Sequence, residues 1–332
     1  MKKLLAAILS SIVLLLTCGC SFKPTFSAGV QESIVSALGF SETENGIEAY
    51  LETIAINSEA LDGEKELKIL KGNGKTAFEA VAAAKSHATQ GLELSHCAVV
   101  IIDNSISPAV FEKICEYCYN ETEITLSVIV VCTKNSEKLL ECSPSASVAV
   151  GYDIVSMLEN ISLNSGVIYK NRFYELAALK EKPLNTFALP LLKADKEAFT
   201  IEGLTVFSDF KQTVSLNTEQ THLYSIITDN HSSGEFFINN NRYKLSSVKV
   251  KYDFKYNQNL NIILSVNIDS EKGNPDEIKS NLLKELENSK GLYSDIFGFA
   301  NLLQYFNAEI WHSIKNDYAN IYKNSIFTVN LK

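Results

Sequence analysis

Two uninterrupted apolar runs with a helical stretch between them constrain this chain more than any other feature. Ala98 to Asp103 and Thr125 to Cys132 are strand-length and lack the alternation of a half-exposed strand. Such strands are stable only where both faces of the sheet are covered. Between them, Phe111, Ile114, Cys115 and Cys118 recur at helical spacing within Ala109 to Tyr119. Strand, helix and strand in that order predict a β-α-β unit, and a sheet sheltered on both sides by helices.

The flanking segments extend this plan. Ser33 to Phe40 and Ile47 to Ile56 read as strands around Glu44-Asn45-Gly46, an Asn-Gly hairpin signal. Glu66 to Lys71 reads as a strand and Ala77 to Ala88 as a helix, joined by Gly72-Asn73-Gly74-Lys75-Thr76. That turn is not a nucleotide-binding loop, because Ile69 stands where the loop needs glycine, and turn geometry accounts for the two glycines. Helices follow at Asn135 to Cys142, Gly151 to Ser162 and Tyr169 to Leu179. Lys182-Pro183 and Leu189-Pro190 then mark an irregular passage toward a domain boundary.

Beyond about residue 197 the texture changes. Gly203 to Phe207 is a strand, Asp209 a turn and Thr218 to Ile227 a helix. A meander follows at Gly234 to Ile238, Arg242 to Phe254 and Leu260 to Ile268, with strict alternation from Val248 to Lys255. Asn274-Pro275-Asp276-Glu277 is a helix start, with Ile278, Leu282 and Leu286 as its buried stripe. Helices near Asp295 to Phe306 and Ala308 to Tyr322, and a strand at Ile326 to Leu331, complete the chain. The reading is thus a multi-domain protein. An N-terminal mixed-sheet, α/β-like domain with covering helices spans 20–196 and could itself divide in two. A C-terminal antiparallel sheet with long helices spans 197–332.

The first twenty residues carry a separate message. Met1-Lys2-Lys3, the apolar stretch Leu4 to Leu16 and the small residues Thr17-Cys18-Gly19-Cys20 have the three-part plan of a secretory signal over 1–19. The apolar run is short of the roughly 20 residues a membrane-spanning helix needs. A cysteine at this place is a lipid acceptor, and Cys20, with Gly19 before it, is favoured over Cys18. Two or three acyl chains on Cys20 suffice for stable anchoring. Loss of the two leader lysines leaves 28 basic residues against 39 acids, a net charge of −11. With no basic cluster, that surface argues against nucleic acid and against electrostatic adhesion to anionic lipid.

No catalytic or metal-ligating pattern emerges. Cys115-Glu116-Tyr117-Cys118 lies inside a helix rather than at its start, and Cys97, Cys132 and Cys142 supply no second close pair. The thiols therefore read as structural. The five histidines, His87, His96, His222, His231 and His312, form no ligand motif, and no nucleophile elbow is present. The expectation is a non-enzymatic protein without metal or cofactor.

One stretch carries more than physics. Gly291-Leu292-Tyr293-Ser294-Asp295-Ile296-Phe297-Gly298-Phe299, followed by Trp311, Tyr318 and the closing strand, resembles a hallmark of the Ger(x)C family, the lipoprotein C subunits of spore germinant receptors. Ile201 to Phe207 with Thr218-Glu219-Gln220-Thr221, and Leu92 to Ile101, are similar to further family segments in the same order. The start of the mature chain, Cys20-Ser21-Phe22-Lys23, departs from the family's Cys-Trp-Asp. The resemblance implies an α+β protein on the outer face of the inner spore membrane. It further implies two integral-membrane partners, the A and B subunits, and a structural or assembly role in nutrient-triggered germination. Asp295, Phe297, Gly298 and Phe299 are then a packing motif or a partner-contact patch, with Gly298 permitting close packing. The rival reading, a solute-binding lipoprotein of an importer, requires two similar doubly wound lobes.

Overall fold

The computed structural model describes residues 32–55, 66–142, 149–169, 171–195, 198–292 and 294–331. Cys20, Cys18 and the leader lie outside the described residues.

β1 (Glu32–Thr43) and β2 (Gly46–Ala55) form the hairpin expected at Asn45-Gly46, and β3 (Glu66–Gly74) pairs along β2. α1 (Ala77–Lys85) lies against β3. A Cβ on Gly72 would sit 2.1 Å from the backbone nitrogen of Ala84, so glycine is required here by the close approach of the helix. This corrects the turn-geometry explanation, because both Gly72 and Gly74 are strand residues. Thr76 caps α1, its Oγ1 accepting from the nitrogen of Glu79 at 3.2 Å.

The short strand β4 (Gly91–Glu93) flanks β1. β5 (Val99–Asp103), α2 (Pro108–Asn120) and β6 (Ile129–Thr133) are the predicted β-α-β unit, with β5 parallel to both β1 and β6. The apolar runs have a direct cause. Val99, Ile101, Ile129 and Val131 face one core, and Val100, Ile102, Val130 and Cys132 face the other. Helices α3 (Ser136–Leu140), α4 (Val150–Ser165) and α5 (Phe173–Ala177) follow.

The passage read as irregular is a strand, β7 (Thr186–Asp195), parallel to β6 and antiparallel to β8 (Ala198–Ser208). β9 (Lys211–Leu216) completes a mixed sheet in the order β3-β2-β1-β5-β6-β7-β8-β9, with β4 beside β1. The two prolines concealed β7, since Pro190 sits inside a paired strand. The boundary placed at 196/197 thus falls between two paired strands of this sheet, and β8 and β9 belong with strands on its N-terminal side.

After α6 (Thr218–Ile227), a second sheet runs β10 (Gly234–Ile238), β11 (Asn241–Tyr256), β12 (Leu260–Lys272) and β13 (Ile326–Leu331). It is antiparallel except that β13 joins β12 in parallel, because the chain returns through helices rather than a hairpin. Those helices are α7 (Pro275–Lys290), α8 (Phe299–Phe306), α9 (Ala308–Ile314) and α10 (Tyr318–Lys323). Ile278, Leu282 and Leu286 are fully buried, as the stripe predicted. The fold is α+β, and its two sheets differ in size and strand order, so they are not two similar lobes. No helix of the described residues is long and apolar enough to cross a membrane.

Candidate functional site

The segment from Asp295 to Phe299 is where sequence and structure meet most closely. It links α7 to α8. Asp295 is buried, and its Oδ2 accepts from the Ala300 nitrogen at 2.8 Å and from the Tyr318 hydroxyl at 2.7 Å. Its Oδ1 is buried with no hydrogen-bond partner among the described residues. Burial pushes the Asp295 carboxyl above its usual range, and the bonds from Ala300 and Tyr318 oppose that shift.

Phe299 is fully buried and meets Tyr252, Phe297, Tyr322 and Phe327 at ring-centroid distances of 5.7–6.4 Å. Phe297 reaches back to Tyr224 on α6 at 5.6 Å. Gly298 has φ +73°, and a Cβ there would find no heavy atom nearer than 3.7 Å. Its glycine is therefore set by the left-handed backbone that starts α8, not by the close packing expected from sequence. One turn on, Asn301 pairs with the backbone of Leu184 in both directions, each bond 3.1 Å. The segment thus ties the C-terminal helices to the approach to β7.

A cleft of about 800 Å³ opens beside it, lined by Phe297, Gly298 and Phe306 together with Leu176, Phe187 and Leu204 among others. Nothing in the sequence announced it, because its walls come from positions more than a hundred residues apart.

Sequence reasoning also missed a histidine pair. His222 on α6 and His231 are both buried, with His222 Nδ1 3.4 Å from His231 Nε2. His231 Nδ1 lies 2.6 Å from the Ser232 carbonyl oxygen and so carries the donated proton. Its Nε2 is then the acceptor for His222 Nδ1–H. Burial lowers His222 to about 3, with the neighbouring His231 adding to the shift, and burial lowers His231 to about 4. Their nine-residue separation spans a helix end and a loop, so no periodic signal marks them.

The remaining buried acids are occupied in holding helices. Glu52 on β2 accepts from the nitrogens of Val150 and Gly151 at 2.7 and 2.9 Å, and from Ser36 Oγ at 2.6 Å. Asp103 accepts from the nitrogen and the hydroxyl of Ser136. Cys97, Cys115, Cys118, Cys132 and Cys142 are buried, and burial pushes the Cys97 and Cys132 thiols up to about 12. Among the described residues, no group of three or more potential ligands is placed to hold a metal ion.

Comparison with known proteins covers nearly the whole chain. Residues 31–194 match the family model described as spore germination protein N-terminal domain, and residues 202–332 match spore germination B3/GerAC like, C-terminal. The chain is 23% identical over 185 residues to the spore germination protein GerQC of Bacillus cereus, an alignment covering 55% of this chain and about half, 51%, of that relative. The crystal structure of the GerBC protein superposes with a TM-score of 0.51 at 10% identity, over 89% of this chain and 95% of that one, which speaks for a shared fold.

Proposed function

Because the chain belongs to the Ger(x)C family of spore germination proteins, we propose that it is the non-enzymatic lipoprotein subunit of a nutrient germinant receptor. It assembles with two integral-membrane partners, the A and B subunits. It is held on the outer face of the inner spore membrane by acyl chains on Cys20. The observation that carries this reading is the match of both family halves in order, from residue 31 to residue 332. A role through contacts rather than chemistry is supported by the way Glu52, Asp103 and Asp295 are used. Each spends its carboxylate on a helix N-terminus or a buried hydroxyl, which leaves it poorly placed to exchange protons with a substrate.

Deletion of the chain tests the reading. Spores should lose the response to the nutrient served by this receptor, keep chemical germination that bypasses receptors, and contain less A subunit. Cys20→Ala should release the protein from the membrane fraction, and Cys18→Ala should not. Normal germination with every nutrient tested and an unchanged A-subunit level would remove the proposal's support.

A further inference from the structure

We propose that His222 and His231 form an acid-operated latch on the seam between the two family-matched halves of the chain, closed while both imidazoles are neutral. The seam is a short backbone clasp. Val167, just after α4, bridges His231. The nitrogen of Ile168 donates to the Asn230 carbonyl oxygen at 3.2 Å, and the nitrogen of Ser232 donates to that of Gly166 at 2.7 Å. His231 is held so closely against this clasp that a Cβ on Gly166 would lie 2.6 Å from its Cε1. Ile168 and Asn230 also line the cleft beside the Asp295–Phe299 segment, so opening the clasp loosens one of its walls.

The hydrogen-bond directions explain why a proton opens it. His231 spends its Nδ1–H on Ser232 and its Nε2 lone pair on His222. A proton added at that Nε2 therefore sets two N–H donors face to face. A proton at His222 Nε2 instead charges a ring that stacks on Phe236 at 4.5 Å. Among the described residues, no carboxylate bonds either imidazole. Glu219 of α6 accepts from Asn239, Asp229 accepts from Val250, Glu235 of β10 pairs with Arg242 of β11, and Glu277 of α7 accepts from Tyr243 of β11. Glu159 of α4 is exposed, and burial raises the phenols of Tyr169 and Tyr224, so neither of these ionises. A buried imidazolium without a counter-ion is costly, whereas an opened clasp gives it water. Burial holds His222 at about 3 and His231 at about 4, so protonation and opening are linked.

Residues Glu32–Lys332 form one compact unit, so a chain beginning at Ser21 carries the latch. Amide hydrogen exchange on that chain, corrected for intrinsic rates, tests the proposal at the Ile168 and Ser232 nitrogens. Two imidazoles released to a value near 6.5 favour opening roughly 50–100-fold more at about pH 5.5 than at about pH 7. Protection of Ile168 and Ser232 should fall by that factor, while protection in the paired strands β5 and β6 stays constant. Exchanging both histidines for asparagine should leave the two amides insensitive to pH over this range. Constant protection of Ile168 and Ser232 in the wild-type chain would overturn the latch. So would a parallel loss in β5 and β6, which marks global unfolding, or an unchanged pH response in the folded double variant. Should that variant fail to fold, the wild-type comparison decides alone.

Discussion

At the scale of single residues, the Asp295–Phe299 segment separates two explanations that sequence alone runs together. Glycine before an aromatic invites a packing argument, yet the space beside Gly298 is open and only its φ of +73° is unusual. The two accounts predict opposite orders of tolerance. Strain from the left-handed backbone makes Gly298→Ala cost about 1–2 kcal/mol, and makes the larger Gly298→Asn cheaper, since asparagine visits this conformation more readily. Crowding would make asparagine the worse of the two. Urea denaturation of both variants decides the matter, and an Asn variant less stable than the Ala variant would reinstate packing. Asp295 works beside it as a buried acceptor, supplying one oxygen to the start of α8 and to Tyr318.

At the scale of elements, acids reach across the fold to start helices. Glu52 serves α4 from β2, and Asp103 serves α3 from the end of β5. Burial raises both carboxyls, as it raises Asp295. A raised folded pKa contributes stability below the ordinary carboxylate range, and that contribution fades as pH rises through the folded value. The pair of His222 and His231 has the opposite sign. Both are neutral and buried when folded, and both take up a proton near 6.5 when unfolded. Their contribution is complete above about pH 6.5 and is lost as pH falls toward 4 and then 3. Exchanging both for asparagine, which retains a donor at the Nδ1 position, should flatten the decline in unfolding free energy between pH 7 and pH 5. The difference from wild type should be on the order of 1–2 kcal/mol per histidine. The acids remain in both proteins, so the comparison isolates the histidines. Parallel pH profiles would show that the pair is already charged in the folded state.

At the scale of the whole molecule, one core binds the two sheets together. Ile154 and Leu158 of α4, Leu192 of β7 and Val206 of β8 share a cluster with Ile262 and Leu264 of β12 and Ile278 of α7. The two family models divide the chain between residues 194 and 202, where β7 turns into β8. Cutting there separates paired strands and exposes both sides of that cluster. Residues 21–196 and 197–332 expressed apart should therefore each fail to give a cooperative thermal transition, and co-expression should recover one. Two independent, sharp transitions from the separate fragments would show instead that the division is one of autonomous folding units.

The sequence by itself determined the local elements and the kinship. The β-α-β unit, the Asn45-Gly46 hairpin, the extents of α6 and β13 and the capped start of α7 follow from patterns within a dozen residues. Over such distances, spacing and turn chemistry decide structure. The resemblance to the Ger(x)C family lay in the ordered segments around Ile201 and Asp295, and nearly all the chain matches it. Tertiary structure decided what depends on distant partners. It made a strand of the proline-marked passage at Thr186–Asp195, because β6 and β8 supply its hydrogen bonds from either side. It placed β13 parallel to β12, since the intervening helices bring the chain back at the same end. It brought His222 to His231, and Lys182 and Lys251 to one cleft. Burial and proximity across the fold leave no periodic trace in a sequence, and these contacts come from segments that meet only when the two sheets share a core.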